Sequence, residues 1–317
     1  MLVIERATGA LHDRRIAELG EWLRPGDALA LNETRVRPAR LDVTRAPTGG
    51  RIELLFVRPG AEAGTWRVLA RPAKRARVGE RLEAAKGTLA LEVVEVGEDG
   101  ERVVRLVGGD LDRTLREHGA LALPPYIHRA PEREDAERYQ TVYARVEGAI
   151  AAPTAGLHFS EPLLASLASA GIASARVVLH VGPGTFRPIA AADPSQHRMD
   201  EEAFEVSEPA SATLRSARAK GGRIVAVGTT VVRALESACD AHEGRLEATA
   251  GWTRKFILPP YAFRGVDALL TNFHLPRTTL LLLVGAFAGM DTLRRAYAHA
   301  VEERYRFYSY GDAMLIV

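Results

Sequence analysis

Short apolar and alternating runs separated by turns dominate the chain between residues 40 and 107. The segments that separate these runs are rich in glycine and proline, which favour turns. Strands of this length and spacing are typical of a small antiparallel barrel or sandwich. The pattern therefore predicts an inserted, barrel-like all-β domain at residues 39–108, with strands at 40–45, 51–57, 65–71, 81–84, 88–96 and 101–107.

The rest of the chain alternates between strand-like and helix-like segments. Two apolar runs near the start, at 1–6 and 28–32, predict strands, and beyond residue 148 strand-like runs alternate with helical ones. This alternation is typical of a parallel sheet with helices on both faces. We therefore expect an α/β fold, in which residues 1–38 and 109–317 form a larger domain with a mostly parallel sheet flanked by helices.

Two helix starts carry hydroxyl side chains that suit capping. Ser160 precedes a helical run that begins at residue 161, and Thr229 and Thr230 begin the run 229–241. Serine and threonine at such positions accept a hydrogen bond from an unpaired backbone N–H group. We expect Ser160 to cap the first helix and Thr229 or Thr230 to cap the second.

The charges are almost balanced overall but unevenly distributed. The 317 residues include 42 Lys and Arg and 40 Asp and Glu, a net charge of +2, which excludes a simple polycation that coats nucleic acid. Residues 35–81 contain twelve basic and four acidic residues, so the remainder carries a charge of −6. The densest basic stretch holds Arg71, Lys74, Arg75 and Arg77 and favours a phosphate-facing surface, with a merely solvated barrel face as the alternative.

Several classes of protein are excluded by simpler features. The single cysteine, Cys239, leaves no internal disulfide and no cysteine-based zinc site. The longest apolar run, 280–288, is about half of what a membrane span needs, and the first residues lack a secretory signal. We therefore expect a cytoplasmic protein that does not enter membranes. His197 lies beside three carboxylates at 200–202, but no second histidine falls at ligand spacing, so we expect no metal.

Three loops follow predicted strands and carry polar groups. They are residues 180–188, 228–234 and 272–279. Ligands of open parallel sheets bind beyond the carboxyl ends of the strands, so these loops predict the site. In the first loop, Gly182 and Gly184 resemble a nucleotide-binding turn, but the third glycine is missing and a proline-broken segment follows. This favours a turn that lets backbone approach a ligand over a dinucleotide site.

The second loop and the histidines supply candidate chemistry. A helix that starts at Thr229 and Thr230 suits a bound carboxylate or phosphate, although simple capping is the alternative. Arg233 and Glu236, one turn apart, predict either a surface ion pair or an inward-facing pair that holds a polar substrate. His158, His180 and His274 lie at element ends and suit proton transfer, with a structural role as the alternative for each.

Nine stretches together resemble the S-adenosylmethionine:tRNA ribosyltransferase-isomerase family of queuosine biosynthesis. They run in the family's order over nearly the whole chain, at 31–41, 123–127, 138–144, 148–161, 179–188, 226–237, 251–253, 269–289 and 296–314. The family's two-domain architecture agrees with the strand spacing described above. The sequence departs from the family pattern at Met1, where a further N-terminal stretch with a PRD-type motif is usual, and at 197–202, where a second histidine after the methionine is absent.

The resemblance implies an unusual transfer reaction. The ribosyl part of S-adenosylmethionine is moved to 7-aminomethyl-7-deazaguanine at the wobble position of tRNA and rearranged, giving epoxyqueuosine, adenine and methionine. S-adenosylmethionine is then a consumed substrate, with no cofactor or metal, and the protein is expected to be a monomer. The alternatives are an S-adenosylmethionine-dependent tRNA methyltransferase, favoured only by the glycine loop, and a non-catalytic RNA-binding protein.

Specific roles are hypotheses that rest on loop position within this resemblance. The proton transfers fall to His158, His180 and His274. We expect Arg71, Lys74, Arg75 and Arg77 to bind the tRNA backbone. The residues expected to bind substrate are Thr154, Gly156, Gly182, Gly184, Thr185, Arg187, Thr229, Thr230, Arg233, Glu236, Asn272 and Asp312. Among these, the threonines would hold the ribose hydroxyls or methionine carboxylate, the arginines a carboxylate or phosphate, and Glu236 or Asp312 the methionine ammonium or adenine.

Overall fold

The computed structural model describes residues 1–46, 48–124, 127, 129, 131–132, 134–186, 189 and 193–317, with the backbone alone at 185 and 186. The chain divides into two compact units, which are residues 1–35 with 139–317, and residues 36–138. No helix in the described part of the chain is both long enough and apolar enough to cross a membrane.

Seventeen strands and seven α-helices follow one another along the described chain. The strands are β1 (Leu2–Ile4), β2 (Leu11–Asp13), β3 (Ala28–Asn32), β4 (Thr34–Val36), β5 (Arg40–Arg45), β6 (Arg51–Pro59), β7 (Thr65–Arg71), β8 (Arg81–Ala84), β9 (Leu89–Val96), β10 (Glu101–Gly108), β11 (Val146–Ala149), β12 (Ala173–Leu179), β13 (Glu202–Val206), β14 (Ile224–Val227), β15 (Thr249–Thr253), β16 (Ala268–Asn272) and β17 (Ala313–Ile316). The α-helices are α1 (Leu111–His118), α2 (Asp135–Arg138), α3 (Glu161–Ser169), α4 (Glu208–Ala219), α5 (Thr229–Ala241), α6 (Thr279–Ala288) and α7 (Met290–Glu302).

The smaller unit contains a closed antiparallel barrel. Its strands follow the order β10-β7-β6-β5-β8-β9, and all six predicted strands are present. Alternate side chains point inward, so residues such as Val43, Ile52 and Leu82 fill the interior. Leu111 and Leu115 of α1 belong to the same apolar core. The compact unit therefore extends beyond the predicted insertion of 39–108, because α1 buries its apolar face in the barrel core.

The larger unit is built on a nine-stranded sheet. Its order is β15-β13-β12-β3-β14-β16-β17-β1-β2, and the four central strands, from β12 to β16, are parallel. Antiparallel neighbours flank this centre, with β13 on β12 at one side and β17 on β16 at the other. The predicted α/β class with a barrel is confirmed. Strands β3, β14 and β16 are buried along their whole length, as expected for strands covered on both faces.

The two predicted helix caps have different outcomes. Ser160 caps α3, since its Oγ accepts a hydrogen bond from the Leu163 N–H at 3.3 Å. The prediction for α5 is wrong, because Gly228 occupies the cap position and no side chain caps this helix. Gly228 has a φ of 98°, which favours glycine, and its N–H donates to Leu270 O at 2.8 Å. The chain thus turns from β14 into α5 within one residue.

The C-terminal aromatics divide between the core and the surface. β17 is fully buried in the sheet, and the Phe307 ring packs 5.1 Å from the Phe273 ring. Tyr308 and Tyr310 keep 40% and 45% of their surface exposed. The segment therefore combines a core strand with two accessible rings.

Candidate active site

The carboxyl ends of the four central strands lie at one edge of the sheet. Because these strands are parallel and paired in near register, Asn32, Leu179, Val227 and Asn272 end their strands on the same side. The loops predicted to carry the chemistry follow three of these strands. The structure therefore brings the starts of those loops to one edge, where a ligand of an open α/β sheet binds.

Asn32 is a polar residue at this edge that the sequence analysis did not assign. Its side chain is fully buried, and its Oδ1 accepts from the Leu179 and Thr34 N–H groups at 3.0 and 3.1 Å. Its Nδ2 donates to Leu179 O at 2.9 Å and to Thr230 Oγ1 at 3.4 Å. Asn32 thus ties β3 to β12 and to the start of α5. The sequence feature that could have identified Asn32 is its position as the polar last residue of an otherwise apolar strand.

His180 is held from two sides. Its Nδ1 lies 2.7 Å from Thr34 Oγ1, and its backbone N–H donates to Ala203 O at 2.9 Å. Gly148 lies directly against the imidazole, so that a Cβ at this position would clash with the ring. The ring position is therefore fixed by a hydroxyl from the start of β4 and by the backbone of β11.

Asn272 joins two of the predicted site residues. Its Oδ1 accepts from Thr154 Oγ1 at 3.0 Å, and its Nδ2 donates to His158 Nε2 at 3.1 Å and to Tyr308 O at 3.3 Å. Only 2% of Asn272 is exposed. The bond from Nδ2 makes His158 Nε2 an acceptor, which places the proton of the neutral ring on Nδ1. Burial, helped by the Met1 ammonium, lowers the pKa of His158 to about 4, so the ring is neutral at pH 7.

His274 lies at the same strand end but has different partners. Its Nε2 is 3.0 Å from Thr271 Oγ1, while its backbone N–H donates to Tyr297 Oη at 2.8 Å. Tyr297 Oη in turn donates to His274 O at 3.1 Å. Burial lowers the pKa of His274 to about 4, so this ring is also neutral at pH 7.

Arg233 and Glu236 do not pair with each other, which corrects the expectation from their spacing. Arg233 forms a buried ion pair with Glu202 of β13, and its Nε donates to Lys255 O at 2.9 Å. Glu202 also accepts from the Gly182 N–H at 2.8 Å. The pair therefore fastens the glycine loop after β12 to α5. The sequence analysis missed Glu202 as a partner because it lies 31 residues from Arg233.

Glu236 is fully buried and faces another loop. Its carboxylate accepts from Tyr261 Oη at 3.0 Å and from the Arg264 and Gly265 N–H groups at 3.1 and 2.8 Å. Burial raises the pKa of Glu236, and these three donors oppose that shift. In this structure the carboxylate orders the segment 261–265.

The two other predicted glycines make close approaches. A Cβ on Gly156 would clash with the Tyr143 hydroxyl, and a Cβ on Gly184 would clash with the Asp200 carboxylate. The Tyr143 hydroxyl is buried and has no hydrogen-bond partner within the described ranges. Burial raises the pKa of Tyr143. Only glycine fits at either place without a shift of its neighbours.

The remaining predicted site residues are placed as follows. Thr229 and Thr230 are buried at the start of α5, and Asp312 accepts from the Arg306 N–H at 2.7 Å. Arg187 and the side chain of Thr185 lie outside the described residues. The ring of His197 packs 5.7 Å from the Phe256 ring, and the part of the chain that the structure describes contains no group of His, Cys, Asp or Glu arranged to hold a metal.

The four predicted tRNA-binding residues belong to the barrel unit. Arg71 ends β7, and Lys74, Arg75 and Arg77 follow it in the segment 71–77. All four are exposed, and none forms an ion pair with a carboxylate of the described chain. Arg75 Nη1 lies 3.4 Å from Arg51 O, and Arg77 Nε lies 3.4 Å from Lys74 O. Their charges are therefore available to a polyanion.

The fold and site define an α/β protein with polar groups at the carboxyl ends of its central strands and an inserted β-barrel. The family model described as queuosine biosynthesis protein matches residues 1–316. The chain belongs to this family, the S-adenosylmethionine:tRNA ribosyltransferase-isomerases of queuosine biosynthesis, and is a transferase.

Two relatives are similar to this chain over its whole 317 residues. The chain is 50% identical to the S-adenosylmethionine:tRNA ribosyltransferase-isomerase of Symbiobacterium thermophilum and 46% identical to that of Heliobacterium modesticaldum. Each comparison covers 100% of this chain and 92% of the relative. Among solved structures, S-adenosylmethionine tRNA ribosyltransferase from Thermotoga maritima is similar, with 37% identity, a TM-score of 0.54, and coverage of 100% of this chain and 91% of that one.

Proposed function

We propose that this enzyme transfers the ribosyl moiety of S-adenosylmethionine to 7-aminomethyl-7-deazaguanine at the tRNA wobble position and isomerises it. The products are epoxyqueuosine in tRNA, adenine and methionine. The observation that carries the proposal is the Thr154–Asn272–His158 network at the end of β16, in a chain of this family. S-adenosylmethionine is a substrate in this reaction, and no separate cofactor is required. We place the reaction in the cytoplasm and assign it to the monomer.

The reaction needs several proton transfers. A C–N bond forms at the aminomethyl nitrogen, which loses a proton, and a proton beside the sulfonium is removed. The bonds from ribose carbon to sulfur and to adenine break, and the departing adenine must gain a proton. We assign these transfers to His158, His180 and His274.

The environments of the histidines support different tasks. A pKa near 4 keeps His158 neutral at pH 7, and its Nδ1–H can donate a hydrogen bond to the departing adenine. The hydrogen bond between the Thr34 hydroxyl and His180 Nδ1 fixes the orientation of the His180 ring. These properties favour His158 as the hydrogen-bond donor towards adenine and His180 as the base.

Substrate binding falls to groups at the same edge of the sheet. We assign the ribose hydroxyls or the methionine carboxylate to Thr154, Thr185, Thr229 and Thr230, with backbone contacts at Gly156, Gly182 and Gly184. Asn272 would position Thr154 and His158. Asp312 is the favoured partner of the methionine ammonium or of adenine, and Arg187 remains a candidate for a carboxylate or phosphate.

Arg233 and Glu236 take supporting roles in this proposal. Each is almost completely buried and is engaged by protein groups rather than turned towards an open surface. Arg233 would hold the glycine loop through Glu202, and Glu236 would hold the segment 261–265. Their effect on substrate would then pass through these loops.

The tRNA would be bound in part by the barrel. Four exposed cations without carboxylate partners in the described chain, Arg71, Lys74, Arg75 and Arg77, suit contacts to the phosphate backbone. Such contacts add affinity without reading sequence. Recognition of the modified base would then belong to the larger unit.

Two isotopic labels test the proposal against its alternatives. The protein is incubated with tRNA that carries the deazaguanine precursor, and with S-adenosylmethionine labelled either in the ribosyl or in the methyl group. Ribosyl label on the tRNA, with release of adenine and methionine, is the expected result. Methyl label on the tRNA would instead identify a methyltransferase, and tRNA binding without any label would identify a binding protein.

A further inference from the structure

Arg102 of β10 is a buried arginine bonded to backbone carbonyls. Only 7% of it is exposed, and its guanidinium makes no ion pair with any carboxylate in the described ranges. Its Nε donates to Ala76 O, its Nη2 to Ala73 O and its Nη1 to Glu101 O, each at 2.6 Å. Nη1 also lies 3.4 Å from Gly97 O.

This arrangement is unusual for a buried charge. Buried arginines are ordinarily paired with an acidic group, because a lone buried charge is costly. Here charge-assisted bonds to carbonyl oxygens replace the acid, so the positive charge is solvated but not neutralised. The planar fork of the guanidinium can reach several acceptors in fixed directions, which the point charge of a lysine cannot.

Two of the carbonyls that Arg102 binds lie within the basic segment 71–77. Ala73 and Ala76 lie on either side of Lys74 and Arg75; Ala73 begins the 3₁₀ turn Ala73–Arg75 and Ala76 follows it as the cap residue. A turn of three residues has few backbone bonds of its own to hold it. The other two carbonyls belong to the 97–101 turn, whose Gly100 O accepts from the Ala70 N–H at 2.9 Å. Arg102 thus fastens the basic segment to the neighbouring turn.

The same turn carries two exposed acids, Glu98 and Asp99. They oppose the field of the basic segment, so the segment's attraction for a polyanion depends on where its side chains are held. A buried cation beneath the segment adds positive potential that solvent screens weakly. The hydrogen bonds of Arg102 and its positive charge therefore both favour binding of a polyanion by the basic segment.

We propose that Arg102 is a positioning residue for tRNA backbone binding by the segment 71–77. By turning the Ala73 and Ala76 carbonyls inward, it fixes the backbone that carries Lys74, Arg75 and Arg77, which reduces the ordering that binding would otherwise require. The inference rests on the proposed function of the barrel. It adds a residue that makes no contact with tRNA itself.

A double-mutant cycle on the 317-residue chain tests this role. The variants are Arg102→Met, the segment triple Lys74→Ala/Arg75→Ala/Arg77→Ala, and their combination. The dissociation constant for tRNA carrying the deazaguanine precursor is measured over a salt series, together with the KM for S-adenosylmethionine. We expect Arg102→Met to weaken tRNA binding about fivefold or more, with an unchanged KM for S-adenosylmethionine, and to have almost no further effect in the triple variant.

Two further variants separate positioning from loss of stability. Val104→Ala removes a fully buried core side chain from the same strand and the same face. The melting temperatures of the two variants are measured so that their losses of stability can be compared. Arg102→Lys keeps the charge but not the fork, and we expect a weakening intermediate between wild type and Arg102→Met. Equal losses of tRNA affinity in Val104→Ala and Arg102→Met would overturn the proposal.

The cycle also distinguishes its own failure from that of the barrel's proposed function. If the triple variant weakens tRNA binding but the effect of Arg102→Met is additive with it, Arg102 does not act through the segment. If the triple variant binds tRNA as the wild type does, the segment is not a tRNA-binding surface and the role of Arg102 falls with it.

Discussion

The Asn272 side-chain amide donates a hydrogen bond to His158 Nε2 at 3.1 Å. The same amide accepts from Thr154, so one buried asparagine sets the orientation of a candidate proton carrier and of a candidate ligand group. The bond also stabilises the neutral imidazole, since a protonated Nε2 would face an N–H donor. Asn272 therefore positions the His158 ring and favours its neutral form.

Replacing Asn272 by aspartate should change the pH dependence of the reaction. A carboxylate next to His158 would favour the protonated ring and raise its pKa from about 4 towards or above its ordinary value. The corresponding limb of the kcat–pH profile should move to higher pH. Asn272→Ala serves as the control, because it removes the bond without adding charge. Superimposable profiles for wild type and Asn272→Asp would show that His158 does not govern the rate.

Removal of the candidate proton carriers should slow the chemical step. We expect His158→Ala, His180→Ala and His274→Ala to lower kcat by about 10²- to 10⁴-fold each at saturating tRNA. His118→Ala, an exposed position on α1, is a matched control that should keep wild-type turnover. Near-normal turnover in all three site variants would mean that the acid–base assignment is wrong.

The buried histidines should make stability depend on pH. The pKa of His274 falls from 6.5 to about 4 on folding, so its full contribution is present above pH 6.5 and is lost as the pH falls towards 4. In His274→Gln the difference in melting temperature between pH 7.5 and pH 5 should therefore be smaller than in the wild type. Comparing the two proteins cancels the contribution of Glu236, whose raised pKa acts in the opposite direction. An identical difference in both proteins would contradict the assigned pKa shift.

Breaking the Arg233–Glu202 pair should be costly. Glu202→Gln leaves a buried guanidinium without its counter-charge, which we expect to destabilise the fold by about 3–5 kcal/mol. Combining it with Arg233→Met removes both charges, and the double variant should lose less stability than Glu202→Gln alone. Denaturant unfolding of the three proteins provides the measurement. A double variant with the summed losses of both single variants would show that the two charges are not coupled.

Reversal of the four basic residues should act on tRNA alone. Changing Arg71, Lys74, Arg75 and Arg77 to glutamate should raise the apparent KM for tRNA at least about tenfold and flatten its salt dependence. The affinity for S-adenosylmethionine should stay the same. As a control, Arg294→Glu and Arg245→Glu alter exposed arginines of the larger unit. If tRNA affinity is unchanged by the four reversals, the barrel segment is not part of the tRNA interface.

Local patterns were sufficient to predict most of the fold. The alternation at 40–107 predicts the barrel strands because each of them has one face in a core, and the apolar runs at β3 and β16 reflect burial on both faces. The cap of α5 was wrongly predicted because hydroxyls at a helix start do not reveal a turn with positive φ. Gly228 was the residue that carried this information.

The site was harder to predict, because its contacts join distant parts of the chain. Asn32 and Thr230 are 198 residues apart, and Glu202 reaches Arg233 of α5 from β13. Sequence spacing predicted Glu236 as the ion-pair partner of Arg233, because only partners that are close in sequence can be recognised from spacing. The rule that ligands bind beyond the carboxyl ends of parallel strands identified loops that start at one edge of the sheet. The hydrogen-bond partner of each side chain in those loops depends on the order of strands in the sheet, which the sequence does not reveal.

All nine strands of the large sheet come from residues 1–35 and 139–317. Every backbone pairing of that sheet is therefore made without any residue of the inserted unit. A substitution in the barrel therefore removes no residue that pairs within this sheet. The chain is in this sense modular, because the proposed tRNA contacts of the barrel and the proposed chemistry at the strand ends belong to different units.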